Sequence, residues 1–104
     1  MPNIRNSDIS LLTEFLSPSK FVKEVWFFRD PNKIWSRRYW HRIDGPAIVR
    51  NDGKSKYFLF GINIPEEEYN FLSANIDELE YDTDTDSIIW IDSKLELEHK
   101  LRFG

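Results

Sequence analysis

The segment Trp40-His41-Arg42-Ile43-Asp44-Gly45-Pro46-Ala47, followed by Asn51-Asp52-Gly53 and by Tyr57-Phe58-Leu59-Phe60-Gly61, admits few local folds. Gly45 precedes Pro46, which biases it to extended backbone. Pro46 lacks an N–H and suits the start of a strand. Asn51, Asp52 and Gly53 tolerate positive φ at low cost, so with Lys54 they read as a turn. Lys56 to Phe60 is aromatic and β-prone, and Gly61 ends it. The segment reads as a β-hairpin with a loop of about four residues.

The same residues resemble a short repeat of small uncharacterised proteins of bacteriophages and some bacteria. In that repeat H-R-x-D-G-P-A leads into a strand, then D-G, then an aromatic strand ending in Gly. The match runs from His41 to Gly61, with His41, Asp44, Gly45, Pro46, Gly53 and Gly61 as its structural positions. Lys23 to Phe28 is similar to the aromatic strand of a preceding, degenerate unit. There Asp30-Pro31-Asn32 replaces the Gly, and Lys33 to Trp40 is an insertion. The resemblance implies local structure and a phage origin; it carries no activity.

A chain of 104 residues is one domain, 1–104, and buries roughly 65% of its unfolded surface. It has no cysteine, hence no disulfide framework and no thiolate metal site. Its apolar runs are too short to span a bilayer, and its start lacks the apolar core of a signal peptide. The expectation is a soluble protein of the cytoplasm, that of the bacterial host if it is phage-encoded, with no membrane partner.

The net charge of −4 is polarised along the chain. Residues 1–60 hold eleven Lys and Arg against six Asp and Glu; residues 61–104 hold three against twelve. Separate basic and acidic surfaces, or charges interleaved across the fold, are both compatible with that split.

Asn6-Ser7 can cap a helix from Asp8 to about Leu16, with Pro18 beyond its end. Phe21 to Arg29 reads as a strand apolar on both faces, so central or covered. Asp30-Pro31-Asn32 is a turn, and Lys33 to Trp40 a more polar, edge-like strand. Pro65 with Glu66, Glu67 and Glu68 starts a helix that keeps its spacing through Tyr69, Leu72 and Ile76. Ser87 to Asp92 is a short strand. Leu95, Leu97, His99, Leu101 and Phe103 alternate with charged residues, which predicts a final strand; the helix propensity of Leu, Glu and Lys is the rival. The sum is an α+β fold: an antiparallel, largely meander-connected sheet of about five or six strands with two helices packed on it.

No nucleophile motif or phosphate-cradling loop is present. His41 with Asp44 has the composition of an acid–base pair, but an aspartate at such a site orders its own turn and the histidine packs beside it. Asp82-Thr83-Asp84-Thr85-Asp86 offers carboxylates at the first, third and fifth places of a calcium loop. Ser87 and Ser93 stand where such a loop needs Gly and Glu, so neither metal nor cofactor is expected. Arg37, Arg38, Tyr39, Trp40 and Arg42 interleave cations with aromatics, the chemistry of single-stranded nucleic-acid binding; the acidic pI opposes it. Asp77, Glu78, Glu80, Asp82, Asp84 and Asp86 form an acidic segment that can meet a basic partner. The leading expectation is a non-enzymatic protein-binding module, a phage-encoded inhibitor or modulator of a host protein with a basic surface, in anti-defence or host takeover. Nucleic-acid binding by residues 33–42 is the alternative.

Overall fold

Aromatic and β-branched residues on both faces make Val22–Arg29 the central strand, β2. Phe27 and Phe28 point to opposite faces, yet are only 3% and 0% exposed. The computed structural model describes residues 3–9, 12–16, 22–30 and 38–104. β1 (Glu14–Leu16) pairs antiparallel with one edge of β2. β3 (Arg38–Trp40) and β4 (Ile48–Arg50) follow one another along its other edge. Residues 41–47 leave and rejoin that edge: the His41 N–H donates to the Trp26 carbonyl, and the Trp26 N–H donates to that of Ala47. The motif is thus an excursion from an interrupted strand.

β4 turns through Asn51–Lys54 into β5 (Ser55–Leu59), as the turn residues require. Gly53 has φ +86°, and Asp52 accepts the Lys54 N–H. Gly61 does not simply end this strand. Phe60 and Gly61, at φ +53° and +82°, form a two-residue turn into a further strand, β6 (Ile62–Ile64). The order of the sheet is β1-β2-β4-β5-β6, with β3 also on β2. β7 (Leu79–Asp82) and β8 (Ser87–Trp90) form a second, two-stranded sheet, and Ile4 bridges the outer side of β7 at Tyr81.

Among the described residues three α-helices accompany the sheets. α1 is described over Asn6–Ile9, and the helix expected to run to Leu16 does not reach it, since Leu12 lies in a turn and Glu14–Leu16 is β1. Thr13 returns its hydroxyl to the Ile9 carbonyl, and Phe15 pairs with Trp26 across β1 and β2, rings 5.0 Å apart. Strand pairing has overridden the helical spacing. α2 (Glu66–Ala74) begins where Pro65 and the three glutamates place it, and a 3-10 turn at Ile76–Glu78 follows.

α3 (Ser93–Phe103) replaces the expected final strand. Asp92 caps it, accepting the Lys94 and Leu95 N–H groups. Glu96–Lys100 and Glu98–Arg102 add pairs one helical turn apart. The alternating apolar row is split by the helix: His99 and Phe103 pack inward on Phe71, while Leu97 and Leu101 are 59% and 79% exposed.

Aromatic rings join the two sheets. The Tyr39 ring meets that of Tyr81 edge-on at 5.8 Å, and Phe60 lies parallel to Tyr81 at 5.6 Å. Among the described residues no helix is long and apolar enough to cross a membrane. Pro18, Phe21, Pro31, Asn32 and residues 33–37 lie outside the described residues; of the strand expected from Lys33 to Trp40, the described part, Arg38–Trp40, is β3.

Candidate functional site

The motif residues turn inward and hold one another. His41 is 2% exposed. Its Nδ1 accepts the Phe60 N–H at 3.0 Å, so Nε2 carries the proton and donates to Asn6 Oδ1 at 3.0 Å. Phe60 needs this partner, because its left-handed turn is buried and its N–H would otherwise be orphaned. Burial pulls the imidazole down to about 4, so it stays neutral at physiological pH. Both ring nitrogens are engaged, and Asp44 faces Arg42 instead.

The Arg42 guanidinium bonds Asp44 at 2.8 Å, reaches Glu24 at 3.4 Å and lies 4.6 Å from the Trp26 ring centre. It also lies across Gly45, where an added Cβ would sit 3.2 Å from its carbon. Tyr69 of α2 fastens the excursion. Its hydroxyl accepts the Gly45 N–H at 3.2 Å and faces the carbonyls of Gly45 and Arg42 as donor. Burial pushes this phenol up, so it keeps its proton. Tyr69→Phe should lower stability by about 1–2 kcal/mol, roughly 5–10 °C in Tm, which a thermal melt reads. The motif is therefore a device of the fold.

The basic-aromatic stretch is dispersed by strand alternation. Tyr39 is buried on Phe28, while Arg38 lies over Phe27 at 5.0 Å and Trp40 is exposed against Phe58. Arg42 is held as described, and Arg37 lies outside the described residues.

The acidic residues, by contrast, gather on one hairpin. Leu79 and Tyr81 of β7 are buried, so Glu80 and Asp82 face outward. Their cross-strand partners are Ile89 and Ser87, and the Glu78 carbonyl accepts the Ile91 N–H one pair further on. Glu78, Glu80 and Asp82 thus form a row beside Ile89 and Ile91, which are 39% and 46% exposed. Asp84 and Asp86 occupy the hairpin tip, and Asp77 is exposed on the 3-10 turn.

Part of this acidity is structural. Asp82 accepts the Asp84 and Thr85 N–H groups, which hold its carboxyl below the usual range. Asp86 has φ +53° and accepts the Tyr81 hydroxyl. Glu80 accepts from Asn3, and the Arg5 guanidinium donates to the Asp77 carbonyl at 2.6 Å. No Lys or Arg pairs with the carboxylates of Glu78, Glu80 or Asp82 among the described residues. Nor do three Asp, Glu or His side chains converge there to hold a metal ion. The two isoleucines were missed in the sequence reading. Their signal was the alternation in Ser87–Asp92, whose outward face becomes identifiable only from its register with β7.

Comparison with known proteins finds no matching family model, no similar curated protein and no similar solved structure.

Proposed function

We propose that the chain is a non-enzymatic protein-binding module that meets its partner through the outward face of the β7–β8 hairpin. Joined to the phage-type repeat, this makes it an inhibitor or modulator of a bacterial host protein in the cytoplasm. The observation that carries the reading is the pairing of a carboxylate row with exposed isoleucines. Exposed apolar side chains supply the dry centre of an interface, and a charged border steers a partner of opposite sign. The partner surface is accordingly basic with an apolar centre.

Affinity capture from bacterial lysate tests this, with the native chain and a Glu78→Lys/Glu80→Lys variant as baits. The fold loses by these substitutions the hydrogen bond that Glu80 accepts from Asn3, so the melting temperature should fall by about 5 °C and the chain should stay folded. The native chain should retain a specific protein in a salt-sensitive manner, and the variant should lose it by about tenfold or more. Equal capture by both baits would remove the hairpin face from the reading. A salt-sensitive complex of the native chain with single-stranded DNA or RNA would move the function to Arg38 and Trp40.

A further inference from the structure

A groove of about 530 Å³ opens between α2, α3 and two strand edges, with Ile62, Ile64, Glu68, Ile88, Trp90 and Glu96 among its walls. β6 ends the order of the main sheet, and β8 pairs only with β7 among the described residues. Antiparallel pairing decides which main-chain groups these edges offer, because alternate residues turn N–H and C=O to the same side. Tyr81 exchanges both of its bonds with Ile4, away from β8. Its cross-strand partner Ile88 therefore faces away from β7, and so does Trp90 two residues on. On β6 the same logic applies: the Phe58 carbonyl turns to the Arg42 N–H, so its partner Asn63 faces outward. Among the described residues none of these three residues has a main-chain partner.

Exposed edges are ordinarily guarded by charge, proline or a bulge. The β8 sequence Ser-Ile-Ile-Trp has neither charge nor proline, and its pairing with β7 runs without a register shift. The groove carries three carboxylates and one lysine or arginine among the described residues: Glu68 bonds His99 at 2.6 Å, Asp86 accepts the Tyr81 hydroxyl, and Glu96 lies 3.4 Å from Lys100, which leaves an excess of negative charge along the walls. A second copy of the chain would bring these carboxylates against themselves.

We propose that the groove receives an extended, lysine- or arginine-bearing segment of a partner protein, which adds as a strand to the free edge of β8 at Ile88 and Trp90. Main-chain bonds give such a complex its affinity and alternate side chains its selectivity. This rests on the protein-binding reading, but on a different surface from the hairpin face.

The test uses the ¹⁵N-labelled full chain and a nonapeptide of alternating lysine and valine. Two further versions are N-methylated at the odd or at the even positions. On binding, the Ile88 and Trp90 amides should gain protection from hydrogen exchange, while the Ile89 amide, already turned toward Glu80, should not change. One methylated version should bind about tenfold more weakly or worse, and the other should bind like the parent. An alternating glutamate–valine peptide should bind at least about tenfold more weakly. The lysine peptide should still protect Ile88 and Trp90 in the Glu78→Lys/Glu80→Lys chain, which separates this groove from the hairpin face. Unchanged exchange at Ile88 and Trp90 under saturating peptide overturns the proposal. Equal loss of affinity in both methylated versions, or protection that follows dimerisation without peptide, overturns it as well.

Discussion

Replacing His41 with leucine should cost about 2–4 kcal/mol at pH 7 and remove a specific part of the acid sensitivity of the fold. The substitution keeps an apolar body but strands the buried Phe60 N–H and the Asn6 side chain, both bonded to the imidazole. The pH dependence has a definite sign. His41 is held at about 4 when folded, against the ordinary imidazole value of 6.5 in the unfolded chain. Between those values the unfolded chain takes up a proton that the native chain refuses. The native protein should therefore lose stability as pH falls from 6.5 to about 4, by about 3 kcal/mol from this group. Above 6.5 the contribution is fully present. The gap between native and His41→Leu chains should be widest near neutrality and close toward pH 4. Urea melts across that range read it directly; parallel curves for the two proteins would refute the buried neutral imidazole.

Gly61→Ala should cost about 2–4 kcal/mol, while Gly53→Ala should cost about 1 kcal/mol. Both glycines have positive φ, at +82° and +86°. They differ in surroundings. A Cβ on Gly61 would lie 3.0 Å from the Tyr39 ring and 3.7 Å from the Tyr39 Cα, whereas one on Gly53 meets nothing within 4 Å. The Gly53 change carries backbone strain alone; the Gly61 change adds a collision inside the aromatic stack that joins the sheets. Paired thermal melts give the difference, and equal losses would mean that the Phe60-Gly61 turn is not packed against β3.

Local chemistry made much of this fold legible before the structure. Gly53 in a turn, Pro65 before a helix and the two apolar faces of β2 each follow from one residue type in one setting. The failures are tertiary. Phe15 leaves a helical pattern because Trp26 offers it a cross-strand partner. The period-two row from Leu95 to Phe103 misled because only its every-other members, such as His99 and Phe103, reach the core once Asp92 nucleates a helix. β6 is not legible locally because phenylalanine at positive φ is rare, and the turn is held from nineteen and twenty-one residues away, by His41 on the Phe60 N–H and by the Trp40 carbonyl on the Gly61 N–H.

The candidate surface divides in the same way. Its acidity stood out from composition, since residues 61–104 hold twelve Asp and Glu. Which carboxylates share a face with Ile89 and Ile91 depends on the β7–β8 register. Arg38, Tyr39 and Trp40 looked contiguous in the chain, but strand geometry sends Tyr39 to the core and its neighbours to the other side.

The hairpin face is tested most directly by site-specific photo-crosslinking in bacterial cytoplasm, with a photoreactive phenylalanine at position 91 and, in a second chain, at exposed position 56. One dominant protein adduct should form from position 91, disappear with Glu78→Lys/Glu80→Lys, and be missing from position 56. An adduct pattern shared by both positions, or one at 91 indifferent to charge reversal, would contradict a partner seated on the carboxylate and isoleucine rows.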